Sequence, residues 1–267
     1  MSQASPLHIA LIQTDLYWKD KVANLAMLEE KIWGIQEQVD LILLPEMFPT
    51  GFTMDVKEVG EPMNLHITKW MQQMARQKQA VIAGSAIIQD SGNFFNRLIW
   101  ASPSGSIAFY DKRHLFRMAD EQLHFTAGDQ FPIFELKGWK ICPQICYDLR
   151  FPVWSRNRAD EKGELAYDVI FYVASWPGAR TSAWDALLPA RAIENLAYSI
   201  GLNRVGVDGN EIAYVGHSAA YDFKGDSITH LGEREAVQTI TLDFDILKQY
   251  RKKFPAWQDS DPFQLLR

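Results

Sequence analysis

The chain has 267 residues, of which 47% are hydrophobic and 22% are charged. This composition is ordinary for a globular protein with a buried core, and the length suits one large α/β domain. The formal net charge is −6 and the sequence has no basic block, so nucleic acid and anionic membranes are disfavoured as partners.

The N-terminal stretch MSQASPLHIALIQTD has no positively charged segment, and its apolar run stops at Gln13. Such a run is too short for the apolar region of a secretory signal or for a membrane span. We therefore expect a cytoplasmic protein, in a compartment that keeps cysteines reduced.

Short apolar runs alternate with helical patterns along the chain. The runs predict strands at 7–14, 39–46, 80–88, 167–175 and 197–206, two strands within 94–112, and a strand in the segment 138–153 that holds both cysteines. The helical patterns lie at 24–38, 67–79 and 183–197. Pro189 interrupts the last pattern, and we predict a break there, with a second helix starting at this proline. The last third of the chain alternates again like strands.

Several of the apolar runs end on a residue that can do chemistry. The terminal residues are Glu46, Lys112, Cys146, Ser175 and Asn203. Apolar strands that alternate with amphipathic helices indicate a sheet covered on both faces, and ligands collect beyond the carboxyl ends of such strands. A carboxylate, an ammonium and a thiol would therefore meet if these strands share a sheet.

The only two cysteines, Cys142 and Cys146, are four positions apart. In an extended chain this spacing corresponds to roughly 13 Å, whereas a disulfide needs Cα atoms within about 7 Å. The spacing is not that of a redox pair, and no second cysteine pair exists to complete a zinc site. Because the apolar run continues past Cys142, we predict that it is a core residue. Pro143 predicts an edge position or a bulge in the same strand.

Three segments carry a family resemblance: LLPEMF, YDKRHLF and ICYDLRFP, in this order. They resemble the signature segments of the nitrilase superfamily of carbon–nitrogen hydrolases, and the resemblance extends from Ile9 to about Leu242. The segments EMFPTGFTM, KRHLFRMADE and YRKKFPAWQDSDPF are most similar to the bacterial omega-amidase branch, which hydrolyses omega-monoamides of short dicarboxylic acids. The resemblance implies an α/β fold, a four-layer αββα sandwich.

The resemblance also assigns roles to residues. It implies Glu46 as general base, Lys112 as stabiliser of the oxyanion, Cys146 as nucleophile and Glu121 as the second glutamate often counted with this triad. It implies a homodimer that needs no metal and no organic cofactor. We expect a single domain over residues 1–267, with a tail from about 243 that packs on the domain or on a dimer partner.

The residue types suit amide hydrolysis. An amide carbon is a poor electrophile, so the thiol of Cys146 must be activated by a neighbouring base or cation. Glu46 can take the thiol proton and pass it to the leaving nitrogen, and Lys112 can lower the pKa of the thiol. The backbone N–H of Tyr147 is the natural second donor to the oxyanion.

The substrate pocket is predicted from residues that follow the strand ends. Phe48, Phe52 and Trp176 are candidates for its walls, with ordinary core packing as the alternative. A substrate carboxylate needs a further cation, for which Arg117 and Arg180 are the candidates.

Three alternatives remain open at this stage. A cysteine–histidine hydrolase could use His114, His124 or His217, although we expect His124 and His217 to bond backbone carbonyls. A non-catalytic relative could keep the fold without the activity. The same triad could also act on another small amide, a nitrile or an N-carbamyl compound.

Overall fold

The computed structural model describes residues 5–265. Its strands are β1 (Leu7–Gln13), β2 (Leu41–Leu43), β3 (Glu61–Pro62), β4 (Val81–Asp90), β5 (Asn93–Ala101), β6 (Ile107–Asp111), β7 (Phe134–Leu136), β8 (Trp139–Ile145), β9 (Val169–Ala174), β10 (Tyr198–Asn203), β11 (Val205–Val207), β12 (Ala213–Val215), β13 (Ala219–Tyr221), β14 (Ser227–His230) and β15 (Ala236–Leu242). Its α-helices are α1 (Lys21–Gly34), α2 (Val56–Val59), α3 (His66–Lys78), α4 (Glu121–His124), α5 (Pro152–Ser155), α6 (Thr181–Asn195) and α7 (Phe244–Lys253).

Most strands belong to two sheets. The first has the order β15-β1-β2-β4-β5-β6, with β3 beside β4, and the second has the order β14-β13-β10-β9-β8-β7. The central strands β1, β2 and β4 are parallel to each other, as are β8, β9 and β10. The carboxyl ends of neighbouring central strands therefore lie at one edge of each sheet, where ligand sites form.

The two sheets pack face to face, with helices outside. Trp100 of β5 reaches across to Phe134 and Phe171 of the second sheet, with ring centroids 5.3 and 6.5 Å apart. Helices α1 and α3 bury their apolar faces on the outside of the first sheet. Helix α6 covers the second sheet at Gly201, where a Cβ atom would collide with Trp184. The predicted αββα sandwich is confirmed.

Helix α6 corrects one prediction, because it runs unbroken through Pro189. A proline inside a helix removes one backbone hydrogen bond and crowds the preceding turn. The buried side chains of Trp184, Leu188 and Ala192 fix this helix on the sheet, and this packing offsets the local cost.

Pro143 lies where β8 has a strand neighbour on one side. Strand β7 pairs only with Trp139–Ile141 of β8, whereas β9 pairs with β8 as far as Ile145. Pro143 is therefore beyond the end of β7, at a local edge of the kind that its missing N–H requires.

The C-terminal segment contacts the second sheet through α7. Arg251 donates hydrogen bonds to a carboxylate oxygen of Asp168 and to the carbonyls of Tyr167 and Leu196, at 2.6 to 2.8 Å. These bonds join α7 to residues next to β9 and β10. Among the described helices, none is both long enough and apolar enough to cross a bilayer.

Candidate active site

The residues that end the apolar runs come together where the two sheets meet. Glu46 follows β2 and Lys112 follows β6, both in the first sheet, whereas Cys146 follows β8 and Ser175 follows β9 in the second. Glu46 and Lys112 are fully buried, and Cys146 is 8% exposed. The site is thus built from both halves of the sandwich.

Glu46 is held at both carboxylate oxygens. Its Oε1 accepts hydrogen bonds from Lys112 Nζ and Asn96 Nδ2, each at 2.8 Å. Its Oε2 accepts a bond from the backbone N–H of Ser175, also at 2.8 Å. Sequence reasoning missed Asn96, although an asparagine inside the apolar run FFNRLIW is the kind of buried polar residue that signals a site.

Lys112 lies between two carboxylates. Its Nζ is 3.1 and 3.0 Å from the two oxygens of Glu121 and 2.8 Å from Glu46 Oε1. Burial opposes the charge on Lys112, but Glu121 and Glu46 outweigh burial and raise the pKa of the ammonium. Lys112 is therefore a permanent cation in this site.

Glu121 is fixed by donors from three directions. Besides Lys112, Asn96 Nδ2 donates to its Oε1 at 3.1 Å and the backbone N–H of Phe116 donates to its Oε2 at 2.6 Å. Burial raises the pKa of Glu121, Lys112 opposes this shift, and the negative charge of Glu46 adds to it. The four side chains Glu46, Asn96, Lys112 and Glu121 form one connected network.

Cys146 occupies a strained backbone position at the end of β8. Its φ angle is +43°, in the left-handed region that side-chain-bearing residues rarely adopt. Asp148 holds the turn that follows, because its Oδ2 accepts hydrogen bonds from the backbone N–H of Ile145 at 3.1 Å and from Tyr110 Oη at 2.8 Å. The turn brings the thiol out of the strand and into a cavity.

The Cys146 thiol is a weak acid in this setting. Burial raises the pKa of the thiol well above its ordinary value, the charge and hydrogen bond of Glu46 raise it further, and Lys112 lowers it only in part. We expected Lys112 to lower this pKa, and its contribution has that sign, but the net shift is upward. The upward shift favours the protonated form of the thiol, which lies next to the Glu46 carboxylate.

Cys142 is a core residue, as predicted. It is fully buried within β8, and Gln144 Nε2 donates a hydrogen bond to its sulfur at 3.3 Å. Burial raises the pKa of this thiol as well. Both cysteines are free thiols.

A cavity of about 440 Å³ opens above Cys146 and Lys112. Its wall is mainly apolar and includes five aromatic rings, which belong to Phe52, Phe116, Tyr147, Trp176 and Tyr214. Two of the three aromatic residues predicted from the sequence, Phe52 and Trp176, therefore line it. The third, Phe48, lies in the core between the first sheet and its helices, where its ring centroid is 5.8 Å from that of Trp70. Phe48 is only two positions after Glu46, yet its side chain packs in the core and does not line the cavity.

The cationic side chains of the cavity differ in part from the prediction. Arg180 lines the cavity as expected, with its guanidinium 5.5 Å from the ring centroid of Phe116. Arg117 is exposed on a 3-10 turn and is not among the residues that line the cavity. Arg150 takes a wall position instead, with its guanidinium 4.9 Å from the ring of Trp176. Arg150 ends the turn that starts at Cys146, and this position is the signal that could have identified it.

The far wall of the cavity comes from the segment that joins β11 and β12, which sequence reasoning did not assign to the site. Asp208 organises it by accepting hydrogen bonds from the backbone N–H groups of Asn210 and Ile212 and, at 2.8 Å, from the hydroxyl of Tyr214. The Asp-Gly pair at its start is a recognisable turn signal. Strands β11 and β12 pair with each other in a separate two-stranded sheet, and this hairpin, rather than the local sequence alone, places the turn at the cavity.

The histidines that a cysteine–histidine hydrolase would use are engaged elsewhere. His114 Nδ1 lies 2.8 Å from Asp148 Oδ1. His217 Nδ1 lies 3.1 Å from Asp185, a carboxylate rather than the backbone carbonyl we expected. His124 is exposed at the end of α4.

Comparisons with known proteins agree with this geometry. The family model for carbon-nitrogen hydrolases matches residues 8–252. The chain is 46% identical to the omega-amidase YafV of Escherichia coli strain K12, over 97% of this chain and 98% of that protein. It is 31% identical to the 2-oxoglutaramate amidase of Bacillus subtilis strain 168, over 94% of this chain and 96% of that protein. A crystal structure of a CN-hydrolase superfamily protein from Xanthomonas campestris, with an arsenic adduct in its active site, superposes with a TM-score of 0.95 at 42% identity, covering 98% of this chain and 99% of that one.

Proposed function

Because the chain belongs to the carbon-nitrogen hydrolase family, we propose that it removes the terminal amide of short omega-monoamides of dicarboxylic acids, releasing the acid and ammonia. The chain is a carbon–nitrogen hydrolase that acts on amides. The observation that carries the finer proposal is the buried network of Glu46, Lys112 and Glu121 against a protonated thiol that faces an arginine-bearing cavity. Suitable substrates are 2-oxoglutaramate and succinamate.

In the first half of the reaction, Cys146 attacks the amide carbon. Its proton passes to Glu46 as the S–C bond forms, because the thiol does not ionise in advance next to a carboxylate. The electron pair of the carbonyl moves to oxygen, where the Lys112 ammonium and the backbone N–H of Tyr147 stabilise the charge. The proton on Glu46 then passes to nitrogen, the C–N bond breaks, and ammonia leaves behind a thioester.

In the second half, water replaces ammonia. Glu46 removes a proton from the water, the hydroxyl adds to the thioester carbon, and the C–S bond breaks as Glu46 passes that proton to the leaving sulfur, which restores both the thiol and the carboxylate. Because Asn96 and Ser175 fix both oxygens of Glu46, the same carboxylate is in position for both steps. The proposed reaction needs neither a metal nor an organic cofactor.

Glu121 acts through Lys112 in this proposal. It contacts the ammonium with both oxygens, which leaves Lys112 little freedom to leave the oxyanion position. Its role is therefore to position Lys112 and to balance its charge.

A substrate carboxylate would bind at the arginine-bearing side of the cavity. Arg150 and Arg180 both belong to the wall that contains Cys146 and Lys112, so a dicarboxylic monoamide could place its amide on the thiol and its carboxylate on a guanidinium. A charge-assisted contact of this kind contributes about 1.5–3 kcal/mol, or roughly ten- to a hundredfold in kcat/KM. The names of the omega-amidase and 2-oxoglutaramate amidase relatives support this substrate class.

A wider amide specificity is the second candidate. A cavity of about 440 Å³ with mainly apolar walls is in the range that holds drug-sized ligands, more than a five-carbon acid requires. An amide, nitrile or N-carbamyl compound with an apolar group would also fit these walls.

A substrate panel separates the two candidates by measuring ammonia release from omega-monoamides, uncharged amides of equal length, nitriles and N-carbamyl acids. We expect 2-oxoglutaramate or succinamate to give a kcat/KM at least about tenfold above the uncharged amides. Equal rates on charged and uncharged amides would remove the omega-amidase proposal and leave the cysteine hydrolase intact.

We also propose that the protein is a cytoplasmic homodimer of single-domain chains, with the tail from about residue 243 packed on its own domain. The bonds of Arg251 to residues beside β9 and β10 support the placement of the tail. Sedimentation of the purified chain tests the dimer, and a monomer at micromolar concentration would contradict it.

A further inference from the structure

A second group of chemically active side chains lies outside the cavity described above. Asp185, His217 and His230 each offer a nitrogen or oxygen donor, and the three donor atoms lie within 4.8 Å of one another. Glu233 lies at the other nitrogen of the His217 ring, with its Oε1 3.8 Å from His217 Nε2. The proposed amide hydrolysis does not use any of these four side chains.

Rigid backbone carries the two histidines. Ala219 of β13 is paired with His230 of β14, and the N–H of His217 donates to the carbonyl of Gly232 at 2.9 Å. The carbonyl of His217 in turn accepts a bond from Trp184 Nε1 at 2.7 Å. The sheet and the helix α6 thus hold the histidine backbone in place before any ligand binds.

The distances suit a small metal ion. His217 Nδ1 lies 3.1 Å from both oxygens of Asp185, and the rings of His217 and His230 are 4.9 Å apart at 76°. Zinc binds imidazole nitrogen at about 2.0–2.1 Å and carboxylate oxygen at about 2.0–2.2 Å, usually with four ligands in a tetrahedron. Donors in such a tetrahedron are about 3.3 Å apart, so rotations of the side chains are sufficient to close the set.

An ordinary ion pair explains only part of this arrangement. A bond between His217 and Asp185 accounts for two members, but not for the second imidazole beside them. The cost of metal binding is also small: His230 would give up one hydrogen bond, the 3.2 Å contact of its Nδ1 with the N–H of Gly232.

We propose that Asp185, His217 and His230 bind a divalent transition-metal ion of the zinc type, with water as the fourth ligand. Two imidazoles with a carboxylate favour zinc, nickel or copper over magnesium and calcium, which prefer oxygen ligands alone. The histidines would bind the ion as imidazoles through one ring nitrogen each, and Asp185 through a carboxylate oxygen.

The test measures zinc binding directly, in a chain without a histidine tag and with Cys146→Ala to remove the cavity thiol as a competing ligand. Zinc chloride is titrated into the metal-free protein in competition with a chromophoric chelator. We expect one zinc ion per chain with a Kd in the micromolar range or below. His217→Ala and His230→Ala should each weaken binding at least tenfold, whereas His66→Ala, which removes a histidine 89% exposed at another place, should bind as the parent does.

Thermal unfolding with and without zinc gives a second measurement, because a ligand that binds only the folded state raises Tm. We expect zinc to raise the Tm of the parent and of His66→Ala by several degrees, and to leave the Tm of folded His217→Ala and His230→Ala unchanged. Failure of the parent to bind zinc, or parent-like binding by both cluster variants, would overturn the proposal. If the cluster acts only as an ion pair, the parent protein will not bind zinc.

Discussion

The two cysteines of this chain are four residues apart in one segment, yet the structure gives them opposite settings. Cys142 lies inside β8, in extended backbone, with an amide as its polar neighbour. Cys146 follows the last residue of the strand, has a φ of +43°, and faces a carboxylate, an ammonium and a cavity. Burial raises the pKa of both thiols. Cys146 differs from Cys142 in having a proton acceptor and open space beside its thiol.

This comparison suggests that the site activates its thiol only when it reacts. A thiolate next to Glu46 and Glu121 would add a third negative charge to a buried group that contains one cation. In the proposed mechanism, proton transfer to Glu46 during attack avoids that charge, and we expect the resting thiol to resist adventitious oxidation because oxidation follows thiolate character.

The largest effect should come from removing the thiol in the cavity. Cys146→Ala should lower amide hydrolysis on the order of 10⁴-fold or more, because no other group can form the acyl intermediate. The positive φ gives a matched variant, since glycine adopts it without strain. Cys146→Gly should be equally inactive but about 1 kcal/mol more stable to urea than Cys146→Ala. Residual activity near the native level in either variant would transfer the nucleophile role to another residue.

Replacing the proton acceptor should separate the reactivity of the thiol from turnover. Glu46→Gln should lower kcat roughly 10²–10⁴-fold, the usual contribution of a general base. The charge of Glu46 raises the pKa of Cys146, so the same variant should be alkylated by iodoacetamide at lower pH than the parent. If Glu46→Gln lost both turnover and alkylation, the site would have collapsed instead. If a thioester accumulated in this variant, Glu46 would act in deacylation only.

Removing the cation should have an intermediate effect. Lys112→Met should lower kcat about 10²–10³-fold, as loss of one oxyanion donor does. The two carboxylates would lose the cation between them, so Glu121→Gln in the same chain should recover part of any lost stability. The check is steady-state ammonia release together with urea unfolding, and native turnover in Lys112→Met would exclude it from the mechanism.

The smallest effect should follow from the thiol inside the strand. Cys142→Ala should change kcat/KM by less than about twofold and cost about 1–2 kcal/mol in the free energy of unfolding, since it leaves a small cavity in a packed core. If Cys142→Ala lost activity while keeping its stability, Cys142 would have a role in the reaction, and the contrast between the two thiols would be wrong.

The sequence predicted those features that depend on the pattern of neighbouring residues along the chain. Apolar runs identified the strands, and the residues after these runs identified Glu46, Lys112 and Cys146 as candidates, because strand ends in such folds face the ligand. The resemblance to the nitrilase superfamily added Glu121 and the αββα arrangement, and the family and the fold are confirmed.

What the sequence did not predict depends on packing over long distances. Asn96 lies inside β5 and joins the site only because β5 runs beside β4 and β6 in the first sheet. The wall between β11 and β12 belongs to a separate two-stranded sheet, which reaches the cavity only in the folded chain. Phe48 follows the same strand as Glu46 but points into the core. The helix through Pro189 shows tertiary packing overriding a local preference.

The pairing of β1 with β15 has a consequence for how the protein is made. Leu7 pairs with Leu242 and Gln13 with Ala236, so one of the first strands to leave the ribosome finds its partner only after more than two hundred further residues have been synthesised. Contacts between residues so far apart in sequence form slowly, and until they form β1 presents an open edge prone to mispairing. Because Glu46 also requires Ser175 from the other sheet, hydrolytic competence should arise late in folding, and a chain truncated before Ala236 should fail in assembly rather than in chemistry.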